Sequence, residues 1–544
     1  MNKSDNPRIW QDKYLWILVG TSLVVILFRL GAHTLYSWDE AIYGQIAREM
    51  LTNHHWLIPH WQNVPWFEKP PLAIWFMVAS FKLFGIGEFA ARLPSALAGL
   101  GSIAITYILS RRFIPKLASF AIGIVLLTSF LFLHLARFAT TDSLLVFFAL
   151  FAVLGLAKLF ETKQPMWWLG VILPLSLGFM VKNVAILPAV VAIVVVLLVF
   201  WKRSLPLLRS KWLLISIGLG LLVVVPWHII MNTNFGSGFW QQYLGYHVLS
   251  RTTGLENNTS SILAPFYAKA LLAKYWYPWS YLAVPATLLW LFAIKRFAKQ
   301  QPLALLLLLF TVATALTYQL SSTKLYWYML PILPPLTIII GWWVWSVYSK
   351  LRTIPTLLLL LTFGVALRAH PWIYLVVSIV LLAGLLTKKK MVQQTSIILL
   401  VIACLGYSIL SLRPIYQQAR EFVEPLGQLM PANSEIQPMI QYKLFVQGPD
   451  QIYYTNRVAI AMSSPSEVTS LLQNGYQANN LFTALNPIAY QYAKEYLPNT
   501  TVKLPSYTLL VPEQYVDEIN AIGRFEQLGK VGTIVVGTIS APQE

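Results

Sequence analysis

About 13 apolar stretches, each long enough to cross a bilayer, recur along this chain, and they constrain its fold more than any other feature. In hydrocarbon a backbone must satisfy its own polar groups, which for separate stretches of this length means helices. They run over roughly 14–31, 89–110, 117–134, 142–158, 166–181, 184–201, 212–230, 280–294, 302–320, 328–347, 355–368, 371–387 and 395–411. Shorter apolar stretches at 72–84 and 261–273 fit interfacial or re-entrant helices. A mean hydropathy of +0.61 lies outside the range of soluble domains. The chain is therefore read as an all-α polytopic membrane protein. The first stretch follows Lys3, Arg8 and Lys13, but its apolar core is long and no small-residue cleavage site follows. It is expected to remain as a signal-anchor helix. The single Cys404 sits inside an apolar run, which excludes an internal disulfide framework and a Cys-rich metal site.

The net charge of +19 raises the question of nucleic acid, and its distribution answers it. With the N-terminus inside, the cytoplasmic segments are 1–13, 111–116, 158–165, 202–211, 295–301, 348–354 and 388–394. They hold 20 of the 40 Lys and Arg residues and only Asp5, Asp12 and Glu161 as acids, which leaves 17 of the 19 net charges on one side. That is the positive-inside pattern, and no nucleic-acid partner is needed to explain it.

The same topology puts three longer segments outside: 32–88, 231–279 and a tail from 413 to 544. Residues 1–412 are then a membrane domain and 413–544 a small extracytoplasmic α/β domain. In the tail, Ser464-Pro465-Ser466-Glu467 is a capping box opening a helix to about Gln473. Asn486-Pro487 opens another to about Tyr496, and Gln451–Tyr454, Thr508–Val511 and Thr533–Ile539 read as strands. No motif assigns chemistry to the tail.

Carboxylates are scarce, at 21 in 544 residues, so their grouping in the first outer segment stands out. Residues Ile42, Tyr43, Ile46, Ala47, Met50 and Leu51 follow helical spacing opposite Gln45, Arg48, Glu49 and Thr52, the pattern of a helix lying in the interface plane. Trp56, Trp61, Trp66 and Trp75 accompany it. At its start, Ser37-Trp38-Asp39-Glu40 fits a capping box with Ser37 as N-cap and Glu40 reaching back. That leaves Asp39 as a carboxylate on a rigid mount, suited to general-base work. Glu68-Lys69-Pro70-Pro71 follows, either a surface ion pair before a helix or a cation for a phosphate at headgroup depth with Glu68 orienting it or ligating a metal.

Further candidates lie on the other outer loops. Arg137 and Asp142 are either an anchoring pair at helix ends or part of a site, and Lys182-Asn183 puts a lysine on a short outer turn. His247 and Arg251 are spaced for one helical face, next to Tyr246. Lys324 and Tyr328 read as interfacial anchors or as a lipid-phosphate clamp.

Trp38-Asp39-Glu40, Phe67-Glu68-Lys69-Pro70-Pro71 and Ala90-Ala91-Arg92-Leu93-Pro94-Ser95 together resemble the polyprenyl-phosphate-sugar-dependent glycosyltransferases of the GT-C fold. The resemblance is closest to the 4-amino-4-deoxy-L-arabinose transferases that modify lipid A, and the protein O-mannosyltransferases are more distant. Arg137-Phe138 to Asp142, Tyr277-Pro278-Trp279-Ser280 and Lys324 to Pro331 extend it. It implies an inverting transferase at the outer face of the cytoplasmic membrane, working as a monomer. The donor is a polyprenyl-phosphate-linked sugar, and the acceptor is lipid A or another envelope glycan or a protein. It implies Asp39, Glu68 and Asp142 as catalytic residues, and Lys69, Arg251, Tyr328, Arg137 and Lys324 as substrate-binding. It requires no cofactor and allows a zinc ion at Glu68 and His247. A lipid or polysaccharide transporter is the rival reading. Transporters place ionisable groups near the midplane, where these spans carry almost none.

Overall fold

The computed structural model describes residues 11–36, 38–62, 64–250, 279–321, 324–350, 423–430, 437–444, 453–455, 457–477 and 501–542. Before the tail the described helices are α1 (Lys13–Leu27), α2 (Asp39–Thr52), α3 (Leu72–Phe84), α4 (Glu88–Ser110), α5 (Lys116–Thr128), α6 (Phe130–Ala136), α7 (Asp142–Thr162), α8 (Leu169–Lys182), α9 (Leu187–Val199), α10 (Trp201–Leu208), α11 (Lys211–Trp240), α12 (Ser280–Ala293), α13 (Gln301–Leu320) and α14 (Leu333–Lys350). A two-residue hairpin pair, β1 (His60–Trp61) and β2 (Val64–Pro65), lies between α2 and α3. The chain divides into two compact units.

The first unit comprises 1–30, 93–233 and 243–413. Among the described residues, six helical stretches are long and apolar enough to span a membrane: 88–110, 142–162, 165–199, 211–246, 301–320 and 326–346. The stretches expected at 355–368, 371–387 and 395–411 lie outside the described residues, as does 261–273. Two expected spans are corrected. The stretch at 117–134 is a helix pair, α5 and α6, bent by 70° at Ser129, whose ψ of 120° leaves the helical range. The first span is shorter than expected, 15 residues ending at Leu27. Both of its ends are held by side chains. Asp12 caps the start by accepting from the Tyr14 N–H, and the Tyr107 hydroxyl donates to it at 2.9 Å. At the other end Arg137 takes the terminal carbonyls, as described below.

The 165–199 stretch is interrupted at Asn183, whose φ of 39° and ψ of −127° stop α8. Helices α7 and α8 pack closely at Gly155, where a Cβ would stand 2.1 Å from the Gly170 carbonyl oxygen. Helix α11 keeps Leu214, Leu221 and Leu222 exposed, the surface of a helix turned to lipid.

The second unit comprises 31–92, 234–242 and 414–544, so the first outer segment and the tail belong to one body. In the tail, α15 (Val423–Leu429), β3 (Gln437–Tyr442), β4 (Arg457–Met462), α16 (Pro465–Asn474), β5 (Tyr476–Gln477), β6 (Thr501–Val502), β7 (Tyr507–Pro512), α17 (Val516–Asn520), β8 (Arg524–Val531) and β9 (Ile534–Ser540) follow. Strands β3, β4, β7, β8 and β9 build a mixed sheet of order β4-β3-β7-β9-β8, parallel in β4-β3-β7 and antiparallel beyond, while β5 and β6 pair separately. Alternate residues bury opposite faces: Ile440, Tyr442, Leu509 and Val535 pack with Leu471 and Ile519, while Met439, Leu510 and Val536 pack with Leu426. The capping box holds, with Glu467 accepting from the Ser463 and Ser464 N–H groups at 2.7 and 3.2 Å. The strand expected at Gln451–Tyr454 is corrected, since the backbone at 453–455 is helical. The helix expected from Asn486 lies outside the described residues.

Candidate active site

The geometry begins with residues 33–36, shortly before α2. Each offers a backbone group, and each such group has a specific partner. The Arg92 guanidinium donates to the His33 and Thr34 carbonyls at 2.8 and 2.7 Å. The Leu35 N–H donates to the Tyr454 hydroxyl at 2.6 Å, and the Tyr36 N–H donates to Glu40 Oε2 at 2.7 Å. Arg92 also holds Glu40 through Nε to Oε1 and Nη2 to Oε2, both 2.8 Å, with both side chains buried. This corrects the capping-box expectation. The N-cap of α2 is Trp38, not Ser37, which lies outside the described residues. Glu40 does reach back, but its chief role is to complete a buried bidentate ion pair with an arginine 52 positions away.

Trp38 itself takes φ 72° and ψ −119°, a conformation a bulky residue rarely adopts. Such backbone persists only where the surroundings over-determine it, and the ties on 33–36 do so. The residue that follows is Asp39. It is partly exposed, and its carboxylate forms none of the hydrogen bonds or ion pairs among the described residues.

The helix that Asp39 opens is not an interfacial helix with a wetted polar face. Gln45 and Glu49 are buried, joined at 2.9 Å, and Glu49 also accepts from the Gln62 N–H at 2.9 Å. Arg48 donates to the Tyr453 carbonyl and lies 4.3 Å from that ring's centre. The hydrophobic pattern was right, but Gln45 and Glu49 on the polar face are buried within the unit, and Thr52 alone of that face is exposed.

Glu68 and Lys69 sit in a bend before α3. The Lys69 ammonium meets the Tyr43 hydroxyl and stands 4.6 Å from the centre of its ring. Tyr43 is buried, so α2 supplies both the Asp39 carboxylate and the aromatic wall against which Lys69 rests. Beside them Phe67 packs on Phe235 and Phe239, with ring centres 4.8 and 5.7 Å apart.

The first unit holds a separate polar group. Asp142 opens α7 and Lys182 closes α8, each charge at the helix end whose dipole favours it, and they pair at 2.6 Å. Lys182 also lies 5.2 Å from the centre of the Tyr328 ring, which stacks on Tyr318 at 4.8 Å. The structure thus joins Asp142 to Lys182 and Tyr328, not to Arg137. Arg137 donates from Nη1 to the Val25, Ile26 and Phe28 carbonyls at 3.0, 2.7 and 2.9 Å, capping the end of α1. Lys324 likewise donates to the Gln319 and Ser321 carbonyls at 2.6 and 2.7 Å, capping α13. Both cations assigned to substrate are thereby engaged with backbone.

Residues 241–250, which include His247, form a helix of the wider π type. The His247 side chain and all of Arg251 lie outside the described residues. Among the described residues no three His, Cys, Asp or Glu side chains come together to hold a metal ion. Sequence reasoning did not single out Arg48, Tyr43 or Tyr454 as parts of this constellation, and it met Arg92 only inside a motif. Lys182, which the sequence singled out as a lysine on the wrong side of the charge bias, pairs with Asp142.

Solved structures place the fold. ArnT from Cupriavidus metallidurans bound to undecaprenyl phosphate matches with a TM-score of 0.68 at 18% identity, over 98% of this chain and 100% of that one. The apo oligosaccharyltransferase of Archaeoglobus fulgidus matches with 0.51 at 12% identity, over 93% and 70%. The architecture is therefore that of the GT-C membrane glycosyltransferases. Within that class the chain resembles the undecaprenyl phosphate-alpha-4-amino-4-deoxy-L-arabinose arabinosyl transferases. Transferase 1 of Pseudomonas fluorescens strain Pf0-1 is 29% identical over 60% of this chain and 57% of its own length. Transferase 2 of that strain is 26% identical over 76% and 74%. The chain spans less than two thirds of the length of the first of these relatives. The family described as dolichyl-phosphate-mannose-protein mannosyltransferase matches residues 68–230.

Proposed function

We propose that this protein is an inverting glycosyltransferase that moves a sugar from a polyprenyl-phosphate carrier to an envelope acceptor such as lipid A. In this reading it works at the outer face of the cytoplasmic membrane, with the tail outside. The observation that carries the reading is the Asp39 carboxylate, unpartnered among the described residues and set at a strained helix start whose approach is tied down at residues 33–36. The names of the relatives supply the donor class: their sugar is 4-amino-4-deoxy-L-arabinose on undecaprenyl phosphate.

In the reaction the bond between the anomeric carbon and the phosphate oxygen breaks as the acceptor oxygen bonds to the opposite face. A hydroxyl acceptor gives its proton to Asp39, and the bonding electrons leave with the lipid phosphate. A phosphate acceptor is already anionic, and Asp39 then stabilises positive charge at the anomeric carbon. Lys69 offsets the growing charge on the leaving phosphate, with Tyr43 fixing its ammonium. Arg251 and Tyr328 remain assigned to substrate binding on the strength of the resemblance. Arg137 and Lys324 are assigned to helix ends instead, since Arg137 Nη1 and Lys324 Nζ donate to carbonyls there. Asp142 is assigned to orient Lys182. No step is assigned to a zinc ion at Glu68 and His247.

Purified protein incubated with undecaprenyl-phosphate aminoarabinose should release free undecaprenyl phosphate when lipid A is added. Absence of release with this and other polyprenyl-phosphate sugars, under any acceptor, would refute the reading. Release that requires a protein acceptor would move it to the mannosyltransferase branch.

A further inference from the structure

The tail carries no nucleophile pattern, phosphate loop or metal group among its described residues, yet it reaches the one helix start on which the proposed chemistry depends. Tyr454 lies 419 positions from Leu35 and accepts from its backbone N–H at 2.6 Å, while its own hydroxyl proton goes to Glu88 at 2.8 Å. Leu35 is fully buried, so this N–H has no solvent to fall back on. The adjacent Tyr453 makes two further contacts with α2. Its carbonyl accepts from Arg48, whose guanidinium covers its ring. Its ring edge also fits against Gly44, where a Cβ would come within 3.0 Å of it and 2.8 Å of Leu35. A two-residue projection from the tail thus touches the segment before α2, its middle and its far half.

We propose that the tail domain acts on the transfer reaction through Tyr454, a positioning residue that fixes segment 33–36 and so sets where Asp39 stands. The proposal rests on Asp39 as the acting carboxylate. Arg92 and Glu40 fix the same segment from within the stretch 31–92 of the same unit, and Tyr454 supplies the tie that comes from the tail. A carboxylate displaced by an ångström from its substrate loses much of its rate while donor binding elsewhere is untouched. The tail is therefore a working part of the enzyme, although it contributes no reacting group.

The test uses the full chain in lipid nanodiscs. Tyr454→Phe keeps the ring and removes both hydrogen bonds. Hydrogen–deuterium exchange over residues 33–44 should quicken, and kcat should fall about tenfold with the KM for undecaprenyl-phosphate sugar unchanged. Glu88→Gln, which still accepts the tyrosine proton, should stay within about twofold of wild type in kcat. Unchanged exchange at 33–44, faster exchange with unchanged kcat, or an equal loss in Glu88→Gln would each overturn the proposal. If Tyr454→Phe does not yield folded protein, Arg48→Gln, which removes the Tyr453 tie, is read by the same criteria. A wild-type protein that releases no polyprenyl phosphate would refute the functional reading alone, since exchange still reports whether Tyr454 fixes the segment.

Discussion

Arg92 grips Glu40 with two parallel hydrogen bonds of 2.8 Å, and the side chains are 1% and 0% exposed. The same guanidinium holds the two carbonyls at 33 and 34, so one side chain fixes both the helix start and the strand of chain leading into it. A planar fork makes this possible, and a lysine cannot reproduce it.

Breaking such a pair leaves a buried charge without its partner, at a cost of about 3–5 kcal/mol. Glu40→Gln should lower the thermal unfolding midpoint of the purified protein markedly and reduce transfer with it. Arg92→Lys should do the same, because it keeps the charge but loses the fork. A midpoint unchanged in both variants would show that the pair does not hold the segment.

Asp39 predicts the opposite pattern. Its carboxylate makes no bond among the described residues, so little beyond its interaction with the α2 dipole is lost from the fold when the charge is removed. Asp39→Asn should leave the unfolding midpoint within about 1 °C and cut kcat by about 100-fold or more, the scale of general-base catalysis. Full activity would remove the residue from the reaction.

The contrast between these neighbours marks what the sequence could tell. Local pattern found α2, α3 and the tail strands at 507–512 and 534–540, because each is written in a period or a run of apolar residues. It singled out Asp39 by its setting. It misassigned Glu40, because a capping box is a local signature and the partner that wins is 52 residues away. It misread Tyr453-Tyr454 as strand from their aromatic character, where their packing against Arg48 and Gly44 accompanies a helical backbone. It assigned Arg137 and Lys324 to a ligand, since helix-end carbonyls compete for cations without leaving any mark on the sequence.

The Asp142–Lys182 pair is buried, and each partner sits at the favourable end of its helix. Lys182→Met should strand the aspartate and destabilise the protein by about 3 kcal/mol or more. Asp142→Asn combined with Lys182→Met should recover part of that loss, because no unpaired charge remains. Thermal unfolding of the two single variants and the double variant measures the coupling, and strict additivity would show that the charges do not interact.

His60 gives the outer segment a pH dependence. Burial, together with the nearby His55 ring at 4.6 Å, lowers its pKa from 6.5 to about 4. Above pH 6.5 the ring is neutral in both folded and unfolded chains, and its contribution to stability is complete. As pH falls from 6.5 toward 4 the unfolded chain takes up a proton that the folded chain refuses, so stability declines across that window and levels off below it. His60→Gln should flatten the fall in unfolding midpoint between pH 6.5 and 5, above the range in which ordinary carboxylates titrate. Parallel curves for both proteins would show that His60 is not the group responsible.

Gly44 makes the contact between helix and tail testable by addition of a single methyl group. In Gly44→Ala the new Cβ would lie 2.8 Å from Leu35 Cδ1, closer than real Cβ atoms stand, and 3.0 Å from Tyr453 Cε2, tighter than most real contacts. Leu35 can turn its terminal methyl aside, but the Tyr453 ring is enclosed between Gly44 and Arg48 and must shift as a whole. Overpacking of this kind costs about 1–3 kcal/mol. Alanine is otherwise the better helix former by about 1 kcal/mol, so a helix free of the tail would gain from the substitution. The sign of the change therefore separates the two cases. A lowered unfolding midpoint with faster exchange around 453–455 is expected. A raised midpoint would show that the tail does not rest on α2.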